Sequence, residues 1–157
     1  MTFTFETEIQ PDWIDYNGHM RDSYYGLVFS LAVDALQDEV GFDAVYREST
    51  GCTIYLLEGH TSFLREVKVG ALVRVETQVL GVDAKRFHLY CAMYEGEKRV
   101  SVGEFMELHV RQKPAPHAAP MPPEIATRLQ AALVTDDEAR ALPHRARALR
   151  ALSTGGA

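Results

Sequence analysis

The residues best suited to chemistry crowd into one short stretch: Asp15, Asn17, Gly18, His19, Asp22 and Ser23, directly ahead of a long segment of apolar periodicity. A carboxylate such as Asp15 can attack an electrophilic carbon as a nucleophile, or take a proton from water as a general base. If the periodic segment is a helix, the N–H groups of its first turn, about Asp22 to Tyr24, lack intrahelical acceptors and can donate to an oxyanion. The helix dipole adds positive potential at that end. Gly18 lets the backbone turn tightly or approach a substrate closely. His19 is placed to donate to a substrate carbonyl or to orient Asp15. Each residue also has a plainer role. An Asp in a D-x-x-G loop forms turns or caps helices, a loop His satisfies a backbone carbonyl, and Asp22 or Ser23 serves as N-cap.

Aromatic rings gather around the same stretch: Trp13, Tyr16, Tyr24, Tyr25 and, on the strand-like run that follows, Tyr55. Aromatic faces hold a quaternary ammonium well, and Glu58 is a possible counter-charge. Tyrosines at the starts of elements also pack the core with the hydroxyl at its rim. His60 alternates with Glu58 and should share its face. Cys52 and Cys91 lie far apart in apolar runs and read as buried free thiols. The six histidines show no H-x-H or H-x-x-x-H spacing and the cysteines no C-x-x-C, so no metal site is expected.

The elements that must position these residues follow from periodicity. Phe3 to Ile9 alternates apolar and polar, as a half-buried strand does, until Pro11 breaks it. Asp12 to Arg21 reads as an ordered loop. From Ser23 to Val40 the period becomes helical, with Tyr25, Phe29, Ala32, Leu36 and Val40 on a stripe that Val28, Leu31 and Ala35 widen; Gly41 ends it. Four strand-like runs come next: Thr53–Leu64, Val69–Val82, Arg86–Tyr94 and Arg99–Arg111. Their short connections demand antiparallel pairing. In the second run Val73, Val75, Thr77 and Val79 share a face, and in the third Phe87, Leu89, Cys91 and Met93 do. Residues 114–123 hold five prolines and read as a connector or an extended strap. Glu124–Val134 and Asp136–Leu152 read as peripheral helices, the second interrupted by Pro143, and Ser153–Ala157 as a frayed tail. The fold class is thus α+β: one long helix on a curved antiparallel sheet of about five strands, with residues 1–113 as the domain and 114–157 as its appendage. Such a sheet has exposed edges, so pairing with a second copy is expected.

The whole chain bounds the possibilities. Its 157 residues suit one domain, and 46% hydrophobic with 24% charged residues is a globular composition. No stretch approaches the ~20 apolar residues of a membrane span, and the N-terminus lacks a signal-peptide pattern, so a cytoplasmic protein is expected. A net charge of -6 argues against nucleic-acid binding. It leaves room for a polyanion held by a local cluster of Lys and Arg.

The stretch Pro11–Tyr25, leading straight into the helix, resembles the signature of hotdog-fold acyl-CoA thioesterases related to 4-hydroxybenzoyl-CoA thioesterase. Within that superfamily it is most similar to the branch of betainyl-CoA thioesterases and of the thioesterase domains fused to carnitine dehydrogenases. Glu58–Val67, Asp83–His88 and Glu104–Val110 add to the resemblance, which covers roughly residues 1–113. It implies a helix wrapped by an antiparallel sheet, and a homodimer, often paired into tetramers, with active sites at the dimer interface. It implies that Asp15, three residues before Gly18, is the catalytic carboxylate of a thioester hydrolase. Coenzyme A would enter only as part of the substrate, its phosphates met by Arg65, Lys68, Lys85 or Arg86, with no other cofactor. The substrate would be lined by Trp13, Asn17, Gly18, His19, Asp22, Ser23, Tyr24, Tyr55, Glu58 and His60. Another branch of hotdog thioesterases carries its carboxylate on the central helix, where Asp34 is the candidate.

Two rival functions are weighed against this. A hotdog hydratase or dehydratase needs a helix-borne histidine, and Ser23–Val40 contains none. A non-catalytic acyl-CoA sensor usually carries a DNA-binding segment. The C-terminal arginines, Arg140, Arg145, Arg147 and Arg150, hint at one, but Asp136, Asp137 and Glu138 lie among them. A serine hydrolase is excluded by the absence of G-x-S-x-G.

Overall fold

The computed structural model describes residues 1–148 and Leu152. Strand β1 (Thr2–Glu8) leads through one turn of 3-10 helix (Pro11–Trp13) to helix α1 (Asp22–Val40), then α2 (Ala44–Thr50). Four long strands follow: β2 (Cys52–Phe63), β3 (Leu72–Val82), β4 (Arg86–Glu95) and β5 (Lys98–Arg111). A two-residue β6 (His117–Ala118), α3 (Pro123–Ala131) and α4 (Asp136–Ala141) complete the described elements. The strands run in the order β1-β3-β4-β5-β2, every pair antiparallel, and β6 continues the sheet beside the end of β5. This is the helix-on-curved-sheet arrangement expected from the sequence, with β2 as one free edge.

α1 is held by its apolar stripe. Tyr25, Val28, Phe29, Ala32, Val33, Leu36 and Val40 are buried against Val73, Val75 and Val79 of β3 and Phe87, Leu89, Cys91 and Met93 of β4. Gly41 takes φ 111° and closes the helix, as a left-handed C-terminal glycine should. The N-terminal cap differs from expectation. Neither Asp22 nor Ser23 caps; the flanking residue is Arg21, with no side-chain cap, and Asp22 is the first helical residue. Helix α2 was not anticipated. Asp43 caps it by accepting from the Tyr46 N–H, and Gly51 ends it at φ 66°.

Residues beyond 113, expected to be a connector and peripheral helices, take part in the same core. Met121, Ile125 and Leu129 are buried with α1 and β3. Buried His109 ties the pieces together: one ring nitrogen is 2.8 Å from the Ala119 carbonyl and the other 2.7 Å from the Tyr46 hydroxyl. Burial holds its pKa below the usual histidine range. Among the described residues the last helix stops at Ala141, where the expected break at Pro143 ends it. The chain then crosses the outer face of the sheet. There Tyr90 donates to the Pro143 carbonyl, and Glu104 receives Arg145 and the Ala146 N–H. Strands β4 and β5 are therefore covered on both faces. The expected frayed tail, Ser153–Ala157, and Arg150 lie outside the described residues. Among the described residues no helix is long and apolar enough to cross a membrane.

Candidate active site

The loop ahead of α1 is a miniature hairpin. Ile14 and Met20 form an isolated antiparallel bridge, the Asp15 N–H donates to the His19 carbonyl (2.8 Å), and the Gly18 N–H to the Asp15 carbonyl (3.0 Å). Gly18 sits at φ 77° with nothing near the position of a side chain, so its turn demands glycine for backbone conformation and not for room. This turn fixes the catalytic candidate. Asp15 Oδ1 accepts from the Asn17 N–H (2.8 Å) and the His19 N–H (3.3 Å), while Oδ2 accepts from no group among the described residues. One oxygen is anchored and the other is free to react.

Asp15, Asn17, His19, Asp22 and Arg65 line one cavity of about 550 Å³ at the N-terminus of α1, with Tyr25, Phe63 and Glu66. His19 orients Asp15 through its backbone; its ring instead lies 3.0 Å from Glu66. The supply of helix N–H donors is narrower than the sequence suggests. The Ser23 N–H donates to the Asp22 carboxylate (2.8 Å) and the Tyr24 N–H to the Arg21 carbonyl (3.0 Å). That leaves the Asp22 N–H uncommitted among the described residues.

The aromatic cluster does not assemble as a cage. Trp13 stacks on Tyr24 (5.8 Å between centroids) and packs on the core, Tyr25 is buried with its hydroxyl on the Arg65 carbonyl, and Tyr16 is 93% exposed. Tyr55, Glu58 and His60 are not brought to the loop. Phe105 packs on Phe29 of α1 and is paired with Gly59, so Glu58 and His60, on either side of Gly59, face away from the helix. They do share a face, as alternation requires. Tyr55 is paired with Leu108 and joins that outer face across the bulge at Leu57.

The four expected phosphate cations divide between the two ends of the sheet. Arg65 lines the Asp15 cavity, and Lys68 follows Val67, whose carbonyl accepts from the Met20 N–H. Lys85 and Arg86 lie at the β3–β4 turn. Phe63 is paired with Ser101 and Arg86 with Leu108, a separation of about 23 Å along β5. The Arg86 guanidinium is moreover clamped on Asp83 Oδ2 at 2.9 and 2.7 Å. Nor is the C-terminal basic cluster a free footprint, since Arg140 pairs with Asp137 and Arg145 with buried Glu104.

One buried, cavity-lining carboxyl escaped the sequence reading. Glu107 is only 5% exposed and lines a second cavity, of about 470 Å³, that runs along α1 from Gly26 to Asp38 between that helix and strands β2 and β5. Asp34 lines it too. Burial, with the nearby Asp34 charge adding to it, pushes the Glu107 carboxyl up to about 7. Alternation with Phe105 and His109 was the available signal, but burial of that face depends on α1, which the strand alone does not reveal. Cys52 and Cys91 are free and buried, as expected, and no group of residues suited to a metal ion occurs among the described residues.

A long helix cradled by this strand order is the hotdog fold, and it carries a carboxylate loop at the helix N-terminus. The profile of the thioesterase-like superfamily matches residues 9–129, and the chain belongs to that family. It is 45% identical over 130 residues to a betainyl-CoA thioesterase of Pseudomonas aeruginosa, covering 82% of this chain and 81% of the relative. It is 43% identical to the L-carnitine dehydrogenase/betainyl-CoA thioesterase of Agrobacterium fabrum, covering 76% of this chain but only 25% of that larger protein. Among solved structures it is similar to a putative thioesterase of Pseudomonas putida KT2440 (33% identity, TM-score 0.75, 99% and 97% of the two chains). It is also similar to a Staphylococcus aureus protein in complex with CoA (27% identity, TM-score 0.77, 86% and 87%).

Proposed function

We propose that this enzyme hydrolyses betainyl-CoA, or another small trimethylammonium acyl-CoA, to the free acid and CoA. The observation that carries the reaction is the geometry of Asp15: one carboxylate oxygen anchored by two N–H groups, the other open to a cavity at a helix N-terminus. In the reaction, an oxygen of Asp15 or of a water it deprotonates attacks the thioester carbon. The carbonyl oxygen becomes an oxyanion, met by the Asp22 N–H and the helix dipole. Collapse breaks the C–S bond, and the CoA thiolate leaves and takes up a proton. If Asp15 itself attacked, water then cleaves the mixed anhydride. Coenzyme A enters as part of the substrate, and the step as written needs no other cofactor. The acyl group is inferred from the relative's name and from its 45% identity.

The working form is a homodimer, paired through β2, with tetramers a further step. β2 leaves one edge without a strand and exposes Tyr55, Leu56, Leu57 and Phe63 along it. Such an edge invites a second strand, and a two-fold axis makes that pairing antiparallel and self-complementary. The net charge of -6 fits no nucleic-acid partner, and we place the enzyme in the cytosol.

The test is release of free thiol from a panel of short-chain, aromatic and trimethylammonium acyl-CoAs. Fastest turnover of the trimethylammonium class is expected. Turnover of another class alone would keep the reaction and replace the substrate, and tight binding without turnover would make the protein a sensor.

A further inference from the structure

The cavity along α1, whose charged groups lie toward the C-terminal end of that helix, has the composition of a cation site. Its floor is the Phe105 ring, laid over two glycines: a side chain on Gly103 would meet that ring at 2.5 Å, and one on Gly59 at 3.0 Å. Phe29 faces it at 5.6 Å between centroids, and both rings line the cavity. The charged groups facing the space are Asp34 and Asp38 on α1, Arg47 on α2 and Glu107 on β5; Thr53, Ile54 and Leu56 of β2 add none. The Cys91 thiol of β4 lies behind Glu107 and feels its charge, while burial keeps that thiol protonated. Arg47 is already engaged, with Nη1 on the Phe42 carbonyl (2.6 Å) and 3.7 Å from Asp38. The Arg47 charge also reaches Asp34, whose carboxyl burial nonetheless holds above the usual range, while Glu107 has no counter-charge among the described residues.

Glu107 is the decisive member. Its side chain is buried and reaches this cavity, yet its carboxylate accepts no hydrogen bond and joins no ion pair among the described residues. A buried carboxyl without a partner is costly unless it stays protonated or meets a cation. We propose that Glu107, with Asp34 at the cavity mouth and Phe29 and Phe105 as its walls, is the specificity-determining site for a quaternary ammonium on the acyl group. This rests on the thioesterase reading above and on its dimer.

The dimer is required by distance. Within one protomer Glu107, paired with Leu56, lies about 20 Å along β5 from Ser101, the partner of Phe63 at the Asp15 end. In a betainyl group the nitrogen is two bonds from the thioester carbon, so the two sites of one protomer cannot serve one substrate. A two-fold axis through β2 runs the two copies of the strand in opposite directions, which carries Leu56, the neighbour of Glu107, toward Phe63 of the partner subunit. That brings the Glu107 cavity of one protomer to the Asp15 cavity of the other, and each active site then draws its carboxylate catalyst and its cation site from different chains.

The test compares kcat/KM for betainyl-CoA and for its neutral carbon isostere, 3,3-dimethylbutyryl-CoA, in the wild type, Glu107→Gln and Asp34→Asn. The wild type should prefer the cation by about 30-fold, the scale of a desolvated cation–aromatic contact. Glu107→Gln should bring that ratio close to one, and Asp34→Asn, at an exposed position where folding is not at stake, should lower it severalfold. Equal losses on both substrates, or an unchanged ratio in both variants, would overturn the assignment. Wild type that hydrolyses the two esters equally well would overturn it while leaving the thioesterase reading in place; wild type that hydrolyses neither would remove both.

Discussion

At the scale of single residues, the turn that holds Asp15 was legible because D-x-x-G geometry is local: the turn, the positive φ of Gly18 and the anchored carboxylate all lie within five positions, while the catalytic role proposed for Asp15 came from the family resemblance. Glu107 was not, because nothing near it in the chain says that α1 will cover it. The two carboxyls differ accordingly in what they do to stability. Glu107 is raised from 4.5 to about 7, so it favours the folded state below about pH 4.5, and that contribution is lost as pH rises through 7. Glu107→Gln should therefore gain stability relative to wild type on going from pH 5 to pH 8, by on the order of 2–3 kcal/mol in denaturant titrations. Equal stability differences at the two pH values would show that the carboxyl is not held neutral. Gly18→Ala is expected to cost about 1 kcal/mol through its backbone conformation alone, and more in activity than in stability, since the turn it closes carries Asp15.

At the scale of elements, periodicity placed α1 and the four long strands to within a few residues, because each buries one regular face. It missed α2, whose signals, Asp43 and Gly51, are caps without an apolar stripe between them. It also gave no sign of the bulge at Leu57, which puts Tyr55 on the same face as Glu58 and His60. The proposed dimer turns on β2. Leu57 is exposed on that free edge, so Leu57→Asp puts two like charges, one from each chain, at the proposed seam. Sedimentation should show this variant as a monomer, with thioester hydrolysis lost along with the dimer. A monomer of full activity would place the whole site in one chain.

At the scale of the molecule, the chain beyond 113 is a brace across the outer face of the sheet. Proline content had suggested a connector or an extended strap, and long-range pairs such as Arg145 with Glu104, which fix where it lies, have no sequence signature. Burial opposes the charged form of Glu104, but contacts from His88, Arg145 and the Ala146 N–H outweigh it and hold the carboxyl at about 2. This stabilisation is present above about pH 4.5 and lost as pH falls toward 2. Arg145→Ala should cost about 2–3 kcal/mol at pH 7 by leaving a buried carboxylate short of partners, with the deficit shrinking as the pH approaches 2. The brace supports a sheet whose other face carries α1, and α1 carries the site. The most direct measurement of that site is kcat for betainyl-CoA in the wild type and in Asp15→Asn, with folding and dimer formation checked in both. A loss of about 100-fold or more in a folded, dimeric variant is expected for removal of the reacting carboxylate. Undiminished turnover would contradict the assignment of Asp15 and move the catalytic role to another carboxyl, with Asp34 the first to examine.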